Sequence, residues 1–151
     1  MSNVVISDSI KYIGADDTTL DLFESQYQIP HGVSYNSYVI LDEKIAVMDT
    51  IDVRKGDEWM ANLETVLAGR TPDYLVISHL EPDHAANIKR LADHFPEMKL
   101  VLSAKAKAML PQFFDIANLN NRCITVAEGN ELELGSHKLK FFMAPMVHWP
   151  E

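Results

Sequence analysis

A single cysteine, Cys123, stands among 151 residues. This excludes an internal disulfide and any CxxC metal or redox pair, so Cys123 reads as a small apolar residue buried in a strand. No apolar run approaches the ~20 residues that a membrane helix needs, and residues 1–10 lack a basic segment leading into an apolar one. The chain is therefore expected to be soluble and cytoplasmic, with no membrane partner. Basic side chains are scarce: 13 Lys and Arg face 22 Asp and Glu, for a net charge of -9. That balance argues against nucleic acid and anionic lipid surfaces, which require basic patches. Glycine is also sparse, at six residues. None of it forms a phosphate-cradling loop, so nucleotide binding within this chain is not expected. Repeats, linkers and low-complexity tracts are missing as well.

What remains is a globular composition, with 47% apolar and 23% charged residues, on a length that suits one domain with a real core. Strands are expected at 4–6, 10–13, 33–41 and 45–48, with 42–44 as the turn of a hairpin joining the last two. Residues 20–27 read as a loop or a short helix. Trp59, Leu63, Val66 and Leu67 recur at helical spacing, which predicts a helix over about 54–68 that stops at Gly69. A buried strand follows at 74–77. A helix from about 84 carries Ile88, Leu91, Ala92 and Phe95 on one face. Then come a strand at 99–102 and a helix that Ser103 can cap and Pro111 divide. Strands at 124–126, 131–134 and 138–143 turn at Gly129 and Gly135. Alternating strands and helices in the middle imply a parallel portion flanked by hairpins. Phe113, Phe114 and the methionines read as core.

The chemistry concentrates at residues 79–84, His-Leu-Glu-Pro-Asp-His, where four ligand-type side chains occupy six positions. They lie on a strand-to-helix turn, the usual place for a site in an open α/β sheet. In an extended stretch positions 79, 81 and 83 point the same way, while His84, beginning the helix, aims at a neighbouring point. One loop can thus serve two adjacent metals. Pro82 disfavours helix at Glu81 and carries no amide donor. Asp49 and Thr50, at the end of an earlier strand, either support such a site from behind or form a cap or turn. His148 ends the last apolar stretch and joins the cluster as a candidate ligand, with Trp149 as a wall of the pocket or an anchor of its loop. His31, His94 and His137 lie in a turn, at a helix end and in a hairpin turn; they are taken as structural, His31 with a lesser possibility as a lid.

The run at 79–84, followed by His148-Trp149-Pro150-Glu151, resembles the flavodiiron proteins. The resemblance extends over essentially the whole chain, including Tyr35-Asn36-Ser37-Tyr38 and Met48-Asp49-Thr50. It implies an α/β (α+β) fold, the N-terminal half of a metallo-β-lactamase-like αββα sandwich, in which a mixed sheet carries outer helices. It assigns His79, Glu81 and His148 to one iron and Asp83 and His84 to a second. Hydrolases of this fold usually have His where Glu81 stands, and a hard carboxylate favours iron over zinc. The implied activity is reduction of dioxygen to water or of nitric oxide to nitrous oxide, with electrons from a flavin domain or a rubredoxin.

A bridging Asp and a last His complete the family's site, and neither is found in residues 1–151. The FMN-holding flavodoxin-like domain is not found here either. The chain is therefore expected to be an incomplete metal domain, inactive alone, whose uncovered sheet face drives association as a homo-oligomer, with a completing chain, or as part of a longer enzyme. Two other functions compete: a zinc hydrolase of the same fold, against which Glu81 counts, and a non-catalytic metal-binding or sensor module.

Overall fold

The computed structural model of the protein describes residues 5–115 and 119–151. In chain order its strands are β1 (Ile10–Tyr12), β2 (Ala15–Asp17), β3 (Leu22–Phe23), β4 (Tyr27–Gln28), β5 (Val33–Tyr35), β6 (Tyr38–Ile40), β7 (Ala46–Met48), β8 (Tyr74–Val76), β9 (Lys99–Ser103), β10 (Cys123–Val126), β11 (Glu131–Glu133) and β12 (Lys138–Lys140). The helices are α1 (Gly56–Leu67), α2 (Pro82–Ala85), α3 (Ile88–His94) and α4 (Ala104–Met109). Six strands form one mixed sheet in the order β1-β6-β7-β8-β9-β10. β1, β6 and β7 pair antiparallel, whereas β7 to β10 run parallel. Helices occupy the crossovers because parallel neighbours cannot be joined by a tight turn.

The period of two along each strand sends side chains to two separate cores. Val39, Val47, Leu75, Leu100 and Leu102 face one way, onto Trp59 and Leu63 of α1 and Ile88 and Leu91 of α3. Ile40, Ala46, Val76, Val101 and Val126 face the other, where Leu132 and Leu139 of the β11–β12 hairpin lie over them. Beyond that hairpin the cover stops: Phe142, Met146 and Val147 are about 70% exposed (69%, 75% and 73%).

The hairpin is fastened by one side chain. Asp42, in the β6–β7 turn, accepts from the backbone amides of Ser136 and His137 and from His137 Nδ1. The far ring nitrogen of His137 meets Ser9 Oγ at 3.0 Å. Gly135 permits this approach: its φ is +126°, and a Cβ there would stand 2.5 Å from Asp42 Oδ1.

Several expectations hold, among them the 42–44 hairpin turn, the end of α1 before Gly69, and the Ser103 cap, whose hydroxyl accepts from Ala106 N. Others need correction. Residues 33–41 are two strands, and β5 leaves the main sheet to pair with β2. Residues 20–27 hold no helix; the stretch is mostly turn, and within it β3 leads to β4 as a short hairpin turned by Glu24 and Ser25 at φ 51° and 60°. Successive left-handed residues suit a tight hairpin, but glycine or asparagine usually signals them. The helix expected from 84 begins at Pro82 and breaks at residues 86–87 before α3. Phe113 and the exposed Met146 are not core. Of the first expected strand, residue 4 lies outside the described residues, and Val5 makes an isolated bridge to Lys11.

Candidate metal centre

All of the candidate residues sit at the carboxyl ends of the parallel strands. β7 leads into Asp49, β8 into residues 77–81, and residues 141–151 return past both. Glu81 caps α2 in extended conformation (φ -60°, ψ 143°) and Pro82 opens the helix, where its missing N–H costs nothing.

His79 and Glu81 are two apart on this extended run and point together. His79 Nε2 lies 3.0 Å from Glu81 Oε2 and 3.1 Å from His148 Nε2. His148 Nε2 and Glu81 Oε2 are 3.1 Å apart, so three ligand atoms close a triangle. Asp83 lies in the first turn of α2 rather than on the extended run, so it does not share the aim of 79 and 81. It pairs instead with His84, Oδ2 to Nε2, at 3.7 Å. Among the described residues Asp83 Oδ1 is buried without a hydrogen-bond partner. Uncompensated buried polar atoms are rare, and those at a cleft mark a place for a ligand.

Asp49 proves to be a support for the site and a turn at once. It holds a left-handed φ of 54°. In that conformation its N–H donates to Val76 O, its carbonyl accepts from Ser37 Oγ, and Oδ1 accepts from Ser78 N at 2.6 Å. Its Oδ2 stands 3.4 Å from His84 Nδ1. This carboxylate raises the pKa of the imidazole, outweighing the burial that lowers it. Thr50, fully buried, donates from both N and Oγ1 to His84 O at 2.8 Å. Thus β7 fixes the segment that carries the cluster.

Two residues had no assigned role in the sequence reading. Glu24, at the β3–β4 tip, acts on Glu81: burial first and the neighbouring Glu24 second push the Glu81 carboxyl up, while His79 opposes them. Glu151 Oε1 accepts from Leu80 N at 2.9 Å and meets His79 Nδ1 at 3.0 Å, its side chain having no exposed surface. No spacing rule could have found either contact, since both depend on where a distant loop lands. Trp149 serves both of its suggested roles, packing edge-on against His79 and stacking on Phe113. A cleft of about 410 Å³ opens beside the cluster, walled by Val76, Val101, Val126 and Phe141. His137 is in the fastened hairpin turn, and His94 lies 3.4 Å from Glu64.

The family model described as "ODP family beta lactamase" matches residues 33–151, most of the chain. The chain belongs to the flavodiiron family of metallo-β-lactamase-like domains. It is 31% identical to the flavo-diiron protein FprA2 of Clostridium acetobutylicum over all of its length and 38% of that protein. To a nitric oxide reductase of Moorella thermoacetica it is also 31% identical, over 98% of the chain and 37% of the relative. The crystal structure of the flavodiiron protein from Giardia intestinalis superposes with a TM-score of 0.89 at 27% identity, over 96% of this chain and 35% of that one. Rubredoxin:oxygen oxidoreductase from Desulfovibrio gigas gives 0.86 at 31%, over 96% and 36%. The chain thus spans little more than a third of these relatives, and its mixed sheet with helices is the flavodiiron metallo-β-lactamase-like fold. No helix among the described residues is long and apolar enough to cross a membrane.

Proposed function

We propose that this chain is the metal-holding part of a flavodiiron-type oxidoreductase that reduces dioxygen to water or nitric oxide to nitrous oxide. One iron is held by His79, Glu81 and His148, and Asp83 and His84 contribute to a second. Polypeptide outside these 151 residues completes the second ligand set, and a flavin domain or a rubredoxin supplies electrons.

The observation that carries this reading is the triangle. His79 Nε2 converges with a carboxylate oxygen and a second imidazole nitrogen, while its Nδ1 faces Glu151. Atoms gathered at 3.0–3.1 Å are held together by shared protons or by a cation, and a metal ion can engage all three at once. The donor set fits iron, since two imidazoles with a hard carboxylate suit a redox-active ion better than an all-imidazole set does. Iron bound there would supply a binding position for a diatomic molecule and the electrons to reduce it. The protein's own part is to aim the donors through Asp49, Thr50 and Glu151, and to line the adjoining cleft with Val76, Val101, Val126 and Phe141, which favour a small apolar diatomic over water.

Metal analysis by mass spectrometry on anaerobically purified protein, followed by uptake of nitric oxide and oxygen with a reduced flavin donor, tests the proposal. Bound iron with turnover once the completing polypeptide is present is the expected result. Zinc or no metal under iron-replete conditions would sink it. Glu81→His is expected to move selectivity from iron toward zinc; an unchanged iron-to-zinc ratio would remove the argument from ligand hardness.

A further inference from the structure

The carboxylate of Glu151 is entirely inaccessible, yet among the described residues it is neither a member of the triangle nor part of an ion pair with Lys or Arg. Its Oε2 is buried without a hydrogen-bond partner among the described residues, so the balancing of this carboxylate falls to Oε1. Its Oε1 takes two donors, the amide of Leu80 at 2.9 Å and His79 Nδ1 at 3.0 Å. Because the first is a backbone N–H, Oε1 is an acceptor, and the ring nitrogen facing it must bring the proton. The amide belongs to the residue next to His79, so one oxygen fixes both the backbone and the ring of the same short segment. Trp149 closes a second side of that ring, its centroid 5.3 Å away at 76°. The ring can neither flip nor exchange its proton to the other nitrogen without breaking the contact with Glu151.

We propose that Glu151 is the positioning residue of the site: it locks His79 in the Nδ1–H tautomer, keeps Nε2 bare toward Glu81 and His148, and thereby sets the affinity of the triangle for a divalent cation. The role of His79 as a ligand rests on the function proposed above, whereas the tautomer lock stands without it. Carboxylates that accept from the far nitrogen of a metal-bound histidine contribute about 10–100-fold to metal affinity.

The test uses the 151-residue chain, isotope-labelled and metal-free, with variants Glu151→Ala and Glu151→Gln. Two-bond proton–nitrogen correlation spectra report the tautomer of His79, and anaerobic titration with cobalt(II) reports affinity by its ligand-field absorption. Native protein is expected to show Nδ1–H. Glu151→Gln, whose amide oxygen can still accept, keeps that tautomer. Glu151→Ala shifts His79 toward Nε2–H and weakens cobalt binding by about 10–100-fold relative to native, with native amide dispersion retained. An unchanged tautomer in Glu151→Ala, loss of the tautomer in both variants alike, or native cobalt affinity in Glu151→Ala would overturn the proposal. Native protein that binds no cobalt would instead count against the metal site itself, leaving the spectra to decide the role of Glu151.

Discussion

Asp17 shows how a buried charge is retained away from the site. Its side chain is 1% exposed, and burial alone would push its pKa up. Hydrogen bonds from Arg54 Nε at 2.8 Å and from Thr19 N and Oγ1 outweigh that effect and hold it at about 2. The folded value lies below the unfolded one, so the stabilisation is fully present above the unfolded value of roughly 4 and is lost as pH falls through about 2. Asp17→Asn is therefore expected to cost about 1.5–3 kcal/mol at neutral pH, and the difference from native should shrink across this acid window. Urea unfolding midpoints measured at pH 7, 4 and 2.5 check it; a constant difference would mean that the carboxylate charge is not what matters.

Single elements carry their own tests. Ser103 is the N-cap of α4, and Ser103→Ala removes its bond to Ala106 N. A loss of about 1 kcal/mol is expected in chemical denaturation. Gly135→Ala is expected to be at least as costly, because it adds a left-handed strain to a clash with Asp42 and Glu43 side chains. Melting temperatures for the two variants would show the order. These elements were legible because their signals are local: a hydroxyl before a helix, glycines at turns, apolar residues at a period of two or 3.6. The β3–β4 hairpin was not legible, since Glu24 and Ser25 take left-handed angles without the residues that usually advertise them. The division of 33–41 was hidden for a different reason: which sheet β5 joins is decided by β2, not by its own sequence.

At the scale of the whole molecule, the parallel order β7-β8-β9-β10 gathers four strand ends at one rim, and the candidate site lies there. Metal that binds only the folded chain must stabilise it, by about 2.7 kcal/mol when free metal is a hundredfold above its Kd. For a chain of this size that is a rise of roughly 5–10 °C in melting temperature. Adding iron(II) anaerobically and then a chelator should raise and restore the transition; no shift at saturating metal would mean that the triangle does not bind in the folded state. Its sequence signal was strong for His79, Glu81 and His84, which are packed into one turn. Strand alternation alone grouped Asp83 with His79 and Glu81; only the family resemblance set it apart, and the structural reason is that α2 starts at Pro82. The part played by Glu151 depended on a loop closing across 72 residues.

That closure also dictates an order of events. β7, α1, β8, the helices after it and β9 are neighbours along the chain, so their contacts need only short loops and form readily. His79 and His148 are 69 residues apart, and the hairpin between them is fastened to Asp42 across 95. A chain caught partway through folding therefore presents His79 and Glu81 as an open pair and gains its third donor only when the last segment lies down. Where that closure is slower than binding, cation uptake should follow it rather than the metal concentration.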